Sequence, residues 1–581
     1  MALMQKTVSD QVVEMLVAAG VRRIYGMAGE SLHPLMDALH RDARIRWVHV
    51  RHEETAAFAA SAEAQLSGEL AVCCGSSGPG NMHLINGLYD ASRSGAPVLA
   101  LAAHVPTLQI GSHCLHETHP TFFFRECVAY GELASRPRQV PVVLAEAIRT
   151  ARAVKGVGML VLPGDVAAMS AVEETAVAPE RAVEPPEQRV AEPLLRRMTA
   201  LLNGAARITF LCGIGCAGAE SDIVALAKRL HAPVAYTLRA KDLLEKENPN
   251  AVGMTGMLGW GAAVHAVLDC DVLVMWGTDF PYRDFLPRKG CVIQVDTNAA
   301  ALGRRVPLAL GVHADVGEVA WALLPLVNPN RPDDFLRSML TYHAREVAAI
   351  SHPLRVVDEE APLRPELLTR LVSDHAEPDA VFTVDTGTPD IWCARYLQAL
   401  ATRRIIGSFN FGSMGCALSM AIGAKSLNPG RQVIALCGDG GISMLAGDLL
   451  TLLQEGLAVK ILVYNNSELD YVALEQLKFG IRNPVGTRLR STNFAAVARA
   501  MGLQAWRISK VNEAIPAIKA WLAAEGPALL DAAVDRHALP LPPGLTFMQG
   551  LGYCKGLAEQ SAHAALDNVK RLLFGNRNFF C

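Results

Sequence analysis

The sequence predicts an α/β protein: three doubly wound parallel-sheet domains followed by a C-terminal helical tail. The chain has 581 residues, more than a single hydrophobic core serves, so several domains are expected. Apolar runs of strand length alternate with helix-periodic stretches along most of it, the order that builds parallel sheets. Residues 434–471 show the unit in full. An apolar run ends in Gly438-Asp439-Gly440-Gly441, a helical pattern follows, and a second apolar run ends in Asn465-Asn466. The expected domain spans are 1–180, 190–340 and 345–540, with the tail at 541–581.

Composition narrows the function classes. Apolar residues make up 51% and charged residues 19%, which places the chain among globular proteins. Net charge is −3 with no basic block, so nothing points to nucleic acid. The 13 cysteines include no C-x-x-C. Cys73 and Cys74 are adjacent, and Cys212, Cys291 and Cys437 lie in apolar runs, so buried free thiols in a reducing compartment are expected. The first residues, MALMQKTVSDQ, carry no signal-peptide pattern. No uncharged apolar run reaches the roughly 18 residues of a membrane span. A cytoplasmic location is expected.

The turn at 438–441 carries the clearest chemistry. Gly440 and Gly441 let backbone amides approach an anion with no Cβ in the way. Asp439 and Asn466 bring hard oxygens from two strand ends, which suits Mg²⁺ shared with phosphate oxygens. A lone Gly-Asp-Gly is equally a turn in an ordinary βαβ unit. The spacing to the Asn pair, about one crossover helix and a strand, makes the combination far more specific.

In chain order, residues 7–19 carry a helical stripe at Val12, Val13, Leu16 and Val17. Gly26-Met27-Ala28-Gly29 is a tight turn before a helix expected at 31–39. A strand at 45–50 runs into Arg51-His52-Glu53-Glu54 and an alanine-rich helix. A carboxylate just past a strand end is well placed for chemistry, and it equally serves as a charge at a helix N-terminus. A strand at 69–74 leads to Gly75-Ser76-Ser77-Gly78-Pro79-Gly80-Asn81, a fixed loop before a helix at 83–89 and a strand at 97–102. His113, His116 and His119 recur every third residue, but Gly111 and Pro120 mark a loop, which argues against a shared metal. Residues 170–190 lose periodicity and gain Pro and Glu, as a linker does.

The second unit opens with a strand at 208–212 and Gly213-x-Gly215-x-x-Gly218, a dinucleotide fingerprint. An NAD reading needs an acid near 237; the sequence there is Tyr236-Thr237-Leu238-Arg239, so NAD fails. A strand at 272–276 runs into Gly277-Thr278-Asp279-Phe280, and one at 292–295 into Asp296, both suited to a large ligand. The third unit starts with a strand at 380–384, Asp385-Thr386-Gly387-Thr388 and a helix through Trp392. Gly412-Ser413-Met414-Gly415 precedes another helix, where a lone Met reads first as core packing.

The Gly-Asp-Gly turn followed by the Asn pair resembles the signature of the thiamine diphosphate (ThDP) enzymes. That resemblance implies that Asp439, Asn466 and the main chain of Glu468 hold Mg²⁺. It implies that Glu53 binds N1′ of the aminopyrimidine and drives general-base chemistry through the cofactor. Gly29 and Asn81 fall on the pyrimidine side; Asp385, Gly387, Thr388, Gly412, Gly438, Gly440 and Gly441 fall on the diphosphate side. Met414 would prop the thiazolium against the pyrimidine. In the flavin-containing members FAD lies across segments matching Gly253-Met254-Thr255-Gly256, Gly277-Thr278-Asp279-Phe280 and Asp296. Among subgroups, RHEE.AAFAA, GPGN.HLINGL, GCAGA, GMTG, GT.FPYR and CGDGG.SML look most like the quinone-reducing pyruvate dehydrogenases, also called pyruvate oxidases. Leu115, Tyr471 and Glu475 then fall beside the substrate. Two departures stand out. Leu115-His116-Glu117 replaces an aromatic-Gln-Glu triplet, and Asp470 replaces a glycine, adding a charge near the diphosphate.

The implied reaction is oxidative decarboxylation of a 2-oxo acid, pyruvate to acetate and CO₂, through a ThDP enamine, with FAD passing electrons to a membrane quinone. A non-oxidative ThDP lyase, an acetolactate synthase-like carboligase or a decarboxylase, stays open beside it. The resemblance also implies a homodimer at least and a homotetramer by expectation, since Glu53 of one chain would serve the diphosphate site of another. In the tail, Leu566, Val569, Leu572 and Leu573 form a stripe flanked by Lys570, Arg571 and Arg577. Such a helix suits either an anionic membrane surface, on the cytoplasmic face, or the protein's own surface.

Overall fold

The computed structural model describes residues 6–172, 190–351, 359–400, 402–479, 481, 483–536 and 538. The expected tail and nearly all of the expected linker lie outside them. Three six-stranded, all-parallel sheets follow one another along the chain. The N-terminal sheet holds β1 (Arg23–Gly26), β2 (Arg46–His49), β3 (Ala71–Gly75), β4 (Val98–His104), β5 (Tyr130–Leu133) and β6 (Val157–Pro163), in the order 2-1-3-4-6-5. The central sheet holds β7 (Ile208–Cys212), β8 (Val234–Tyr236), β9 (Ala251–Met254), β10 (Val272–Trp276), β11 (Cys291–Asp296) and β12 (Leu310–His313), in the order 12-11-10-7-8-9. The C-terminal sheet holds β13 (Val381–Val384), β14 (Arg404–Gly407), β15 (Val433–Gly438), β16 (Val459–Asn465), β17 (Gln504–Ile508) and β18 (Ala528–Ala533), in the order 14-13-15-16-18-17.

These strands form because they are buried on both faces. Every position of β4 and of β16 is buried, which explains their continuous apolar runs. The first and third sheets share one strand order. The central sheet instead has its first and fourth strands, β7 and β10, side by side at the point where the order reverses, the Rossmann arrangement. Open parallel sheets bind ligands outside the carboxyl ends of the strands at such points. They fall between β1 and β3, between β7 and β10, and between β13 and β15.

One hydrophobic core runs through the first and third units, taking in Val98 and Val161 with Val433 and Val463. Two small-residue helices, Glu53–Ser67 and Cys416–Leu427, join them. They approach so closely that a Cβ on Gly423 would lie 2.1 Å from the Ala59 carbonyl oxygen. Proline accounts for two differences from the sequence expectations. The stretch expected to be helical at 31–39 starts as a 3₁₀ turn, Glu30–Leu32, and becomes helix His33–Arg41 with Pro34 in its first turn. The helix expected at 83–89 starts at Pro79 as Pro79–His83 and continues as Ile85–Ser94.

Candidate active site

Glu53 is the first residue of helix Glu53–Ser67 and is 5% exposed. The helix is capped by the ring of His52, which accepts from the Glu54 amide at 3.2 Å, so Glu53 is spared that job. Glu53 Oε2 lies 2.9 Å from His83 Nδ1, where the ring nitrogen must carry the proton to donate to a carboxylate. His83 stacks on His52 with centroids 4.3 Å apart. On the other side Glu53 Oε1 presses against Gly80, whose Cβ would lie 2.7 Å away. Only glycine fits there. Gly29 abuts Ser76 in the same way, since a Cβ on it would fall 2.5 Å from Ser76 Cβ, and the Ser77 amide donates to Ser31 Oγ at 2.9 Å. The two loops therefore close on each other beyond β1 and β3. Asn81 is fully buried; its Nδ2 donates to the Ala103 carbonyl at 2.7 Å, while its Oδ1 has no partner.

At the matching point of the C-terminal sheet, Asp439 follows β15 and is 5% exposed. Its carboxylate accepts the Gly440 amide at 2.8 Å and the Ser467 amide at 2.6 Å. Burial pushes its pKa up to about 6 against the pull of those amides. Asn466 Oδ1 accepts the Glu468 amide at 3.0 Å, and Ser467 between them has φ 60°, a left-handed turn that folds Asn466 and Glu468 toward Asp439. The Glu468 side chain turns away, to Thr487 Oγ1 at 3.0 Å. A carboxylate, an amide oxygen and a main-chain carbonyl are ligands that Mg²⁺ takes.

Asp385 stands just past the end of β13. It is buried behind the turn, and its Oδ1 accepts the Cys416 amide at 3.0 Å at the start of helix Cys416–Leu427. Burial raises its pKa to about 7. A Cβ on Gly441 would fall 1.7 Å from its Oδ2, so Asp385 fixes the turn from below. Gly387 has φ 128° and begins the helix Thr388–Tyr396; Pro389 lies against Gly438. Gly412, at φ 80°, leads into Met414, which is half-buried with its Cε 3.3 Å from the Cβ position of Gly440. Met414 therefore sits over the turn.

Helix Asp470–Lys478 presents Val472 and Glu475 on its exposed side, with exposed Phe479 just past its end, while Tyr471 packs partly into the C-terminal core. Val472 lies three residues before Glu475 and so shares its face of the helix. Asp470 is 9% exposed, and burial together with the charges of Glu468 and Asp439 pushes its pKa up to about 8. That upward push disfavours the charge whose repulsion the sequence leads one to expect. Leu115 is 82% exposed on a loop in which His113 and His116 are left-handed. The three histidines do not assemble: among the described residues no group of three or more His, Cys, Asp or Glu could hold a metal.

In the central unit the Gly213 amide donates to the Trp276 carbonyl at 2.9 Å, and Cβ atoms on Gly213 or Gly277 would collide with the facing backbone at 2.5 Å. Gly253 and Gly256 have φ 94° and 96°. Between them Thr255 is 3% exposed, and its Oγ1 has no partner. Thr278 is buried, and Phe280 lies inside a core cluster against Tyr282 rather than open to the cleft. Asp279 is held by Arg304 at 2.6 Å and Arg305 at 2.9 Å. Asp296 stands at the end of β11 and accepts the Asn298 amide at 2.8 Å. Arg239, where an NAD enzyme needs an acid, reaches across to the Ser94 carbonyl at 2.7 Å. Sequence reading also missed His83, Thr55 and Asp448, whose partners lie tens to hundreds of residues away.

Three descriptions of thiamine pyrophosphate enzymes fit the chain in turn: the N-terminal TPP binding domain over residues 6–122, the central domain over 195–323 and the C-terminal TPP binding domain over 385–532. The chain is 48% identical to an uncharacterized 42.6 kDa protein of Pseudomonas amyloderamosa, over 58% of this chain and 85% of that one. It is 32% identical to pyruvate oxidase of Lactiplantibacillus plantarum, over 91% of this chain and 89% of that one. It is 28% identical to the large subunit of acetolactate synthase isozyme 1 of Escherichia coli, over 94% and 98%. By these sequences and by its three parallel sheets, the chain belongs to the thiamine pyrophosphate enzyme family.

Proposed function

We propose that this ThDP enzyme oxidatively decarboxylates a 2-oxo acid, with pyruvate giving acetate and CO₂, and that bound FAD carries the electrons to a quinone. The central unit supports the redox half of this reading. Its Rossmann-type switch point, its positive-φ glycines and above all the orphaned, buried hydroxyl of Thr255 make a cradle with an unmet hydrogen bond. A flavin dinucleotide laid across Gly253–Gly256 and Gly277–Asp279 would meet it. The pyruvate oxidase relative is consistent with the same chemistry.

ThDP, when bound, supplies a carbon nucleophile and an electron sink. The chain's part is to place and protonate. Asp439, Asn466 and the Glu468 carbonyl would hold Mg²⁺, and the amides of Gly440 and Gly441 would face the diphosphate. Glu53 would hold a proton at the pyrimidine N1′, steadied by His83. Met414 would set the angle between the rings. Val472, Glu475 and Leu115 would border the 2-oxo acid. The exposed apolar side chains of Leu115, Phe122, Phe479 and Val485, each above 75% exposed, suit cover by a second copy in a homodimer or homotetramer. The quinone and an anionic membrane surface for the tail belong to this same reading.

The second reading, a carboligase, draws on the acetolactate synthase relative. One anaerobic experiment separates the two. The full chain, loaded with ThDP, Mg²⁺ and FAD, is mixed with pyruvate and the visible flavin band is followed. Bleaching is the expected result. A yellow protein that does not bleach while acetolactate accumulates would favour the carboligase, and a colourless protein would remove FAD.

A further inference from the structure

We propose that Asp448 is a positioning residue for Glu53, gripping from the C-terminal unit the turn that carries it. Asp448 ends the short turn Ala446–Asp448 and is 1% exposed. Its Oδ1 accepts the Arg51 amide at 2.8 Å and Thr451 Oγ1 at 2.7 Å; its Oδ2 accepts Thr55 Oγ1 at 2.8 Å. Arg51 and Thr55 flank Glu53, two residues before and two after. One carboxylate thus pins both sides of the residue that begins the helix. Thr55 Oγ1 is also 3.0 Å from Ser419 Oγ on helix Cys416–Leu427, which locks the hydroxyl's direction. The same C-terminal segment continues the grip, with Glu455 accepting the His49 amide at 3.1 Å and pairing with Arg46 at 2.9 Å.

The hydrogen bonds are spent on placement. The helix already has its own cap in His52, and Asp448 has no ion pair with a cation among the described residues. A carboxylate that must meet a ring nitrogen at hydrogen-bond distance loses rate steeply when displaced by a fraction of an ångström to one ångström. A pin on Arg51 and Thr55 removes that freedom without touching the carboxyl group itself, which stays with His83 and Gly80. This inference rests on the reading of Glu53 as the N1′ acid.

The test uses the full chain loaded with ThDP and Mg²⁺, and follows exchange of the cofactor's C2 proton in heavy water beside the thermal midpoint. Glu53→Gln is expected to slow exchange at least about a hundredfold, within the range of general acid–base catalysis. Thr55→Val and Asp448→Asn are expected to slow it about tenfold, with midpoints within about 3 °C of the parent, while Thr55→Ser stays within about twofold. Should Thr55→Val and Asp448→Asn exchange at the parent rate while Glu53→Gln is slow, the pin is refuted and the Glu53 reading stands. Parent-rate exchange in Glu53→Gln refutes both. Equal slowing in Thr55→Ser and Thr55→Val, in step with lost thermal stability, reduces Asp448 to interdomain adhesive and overturns the proposal. Asp448→Asn failing to fold leaves the Thr55 pair to decide.

Discussion

In the C-terminal sheet the glycine turn meets carboxylates: Gly441 rests on Asp385, and Asp439 leads the turn. In the central sheet the glycine turns meet one another, with Gly213 and Gly215 against Gly277, and the unsatisfied group is a neutral hydroxyl on Thr255. Both sites stand at a switch point beyond the carboxyl ends of parallel strands. The difference teaches that glycine sets how near a ligand's backbone contact can come, while the charge beside it sets what is held. A buried acid flanked by amide and carbonyl oxygens asks for a cation with its phosphate. A cleft with a spare hydroxyl on Thr255 and an Asp279 already paired with Arg304 and Arg305 asks instead for a ligand that offers a hydrogen bond.

The largest break in that contrast comes from exchanging the charge. Asp439→Asn keeps the shape and removes the hard anionic ligand, so turnover should fall at least about a hundredfold, with Mg²⁺ affinity falling alongside. On the flavin reading proposed above, FAD affinity should stay at the parent level. If flavin is lost in equal measure, the two sites are one unit and the contrast fails. Next comes the glycine itself. Gly441→Ala puts a Cβ into the Asp385 carboxylate, which has nowhere to go, and should destabilise the fold by about 3 kcal/mol or more. Gly218→Ala in the central fingerprint meets nothing within 4 Å and carries only the cost of φ 85°, about 1 kcal/mol. Urea midpoints of the two variants, compared directly, measure the difference. Similar losses would mean that the Asp385 carboxylate gives way and is no floor to the turn.

Much of this was legible before the fold was known. The strands with continuous apolar runs, such as β7 and β10, were read to the residue, because burial on both faces leaves a signal within the strand itself. Asp439 and Asn466 could be paired because their spacing is set by one crossover helix. Asp385 was placed on the diphosphate side, and the structure adds what its carboxylate touches, the helix start at Cys416 and the underside of Gly441. A sequence shows that an acid follows a strand; it does not show which way the side chain turns. His83 beside Glu53, and Asp448 behind Arg51 and Thr55, were invisible for the same reason. Their contacts are made by tertiary packing between distant segments, and no local periodicity encodes them.

The two regions should also answer acid in opposite directions. His343 stands behind the central cradle, edge-on to Trp260 at 5.3 Å and against Gly253, with its Nδ1 unpartnered. Burial pushes its pKa down to about 4 from the ordinary 6.5. As pH falls below 6.5 the unfolded chain takes up the proton first, so stability contributed here is present at neutral pH and is lost toward pH 4, by about 3 kcal/mol. Asp385 is the reverse. Its raised pKa, about 7, lets the folded chain keep a proton that the unfolded chain has released above 3.8, so its part of the stability is full at low pH and falls as pH rises to 7. His343→Leu should raise the melting midpoint at pH 5 more than at pH 7. Asp385→Asn should gain in melting midpoint over the parent at pH 7 relative to pH 4. Parallel pH profiles in the two variants would erase the distinction between a buried base and a buried acid.

The smallest effect is the sharpest, because its two readouts should move in opposite directions. Thr255 Oγ1 is buried without a partner, and an unmet hydroxyl costs about 1–3 kcal/mol relative to an apolar group of the same shape. Thr255→Val removes that group and keeps the branched volume between Gly253 and Gly256. The chain without FAD should therefore become more stable, by about 1 kcal/mol. If a flavin's polar edge supplies the missing partner, the same change removes a hydrogen bond from the complex, and FAD should bind about fivefold more weakly. A structural hydroxyl satisfied by water would give a neutral or destabilised apo chain and unchanged FAD affinity. Gain in one measurement with loss in the other is the signature of a group kept for a ligand, and Asp439 should not share it, since its carboxylate already has the Gly440 and Ser467 amides when no metal is bound.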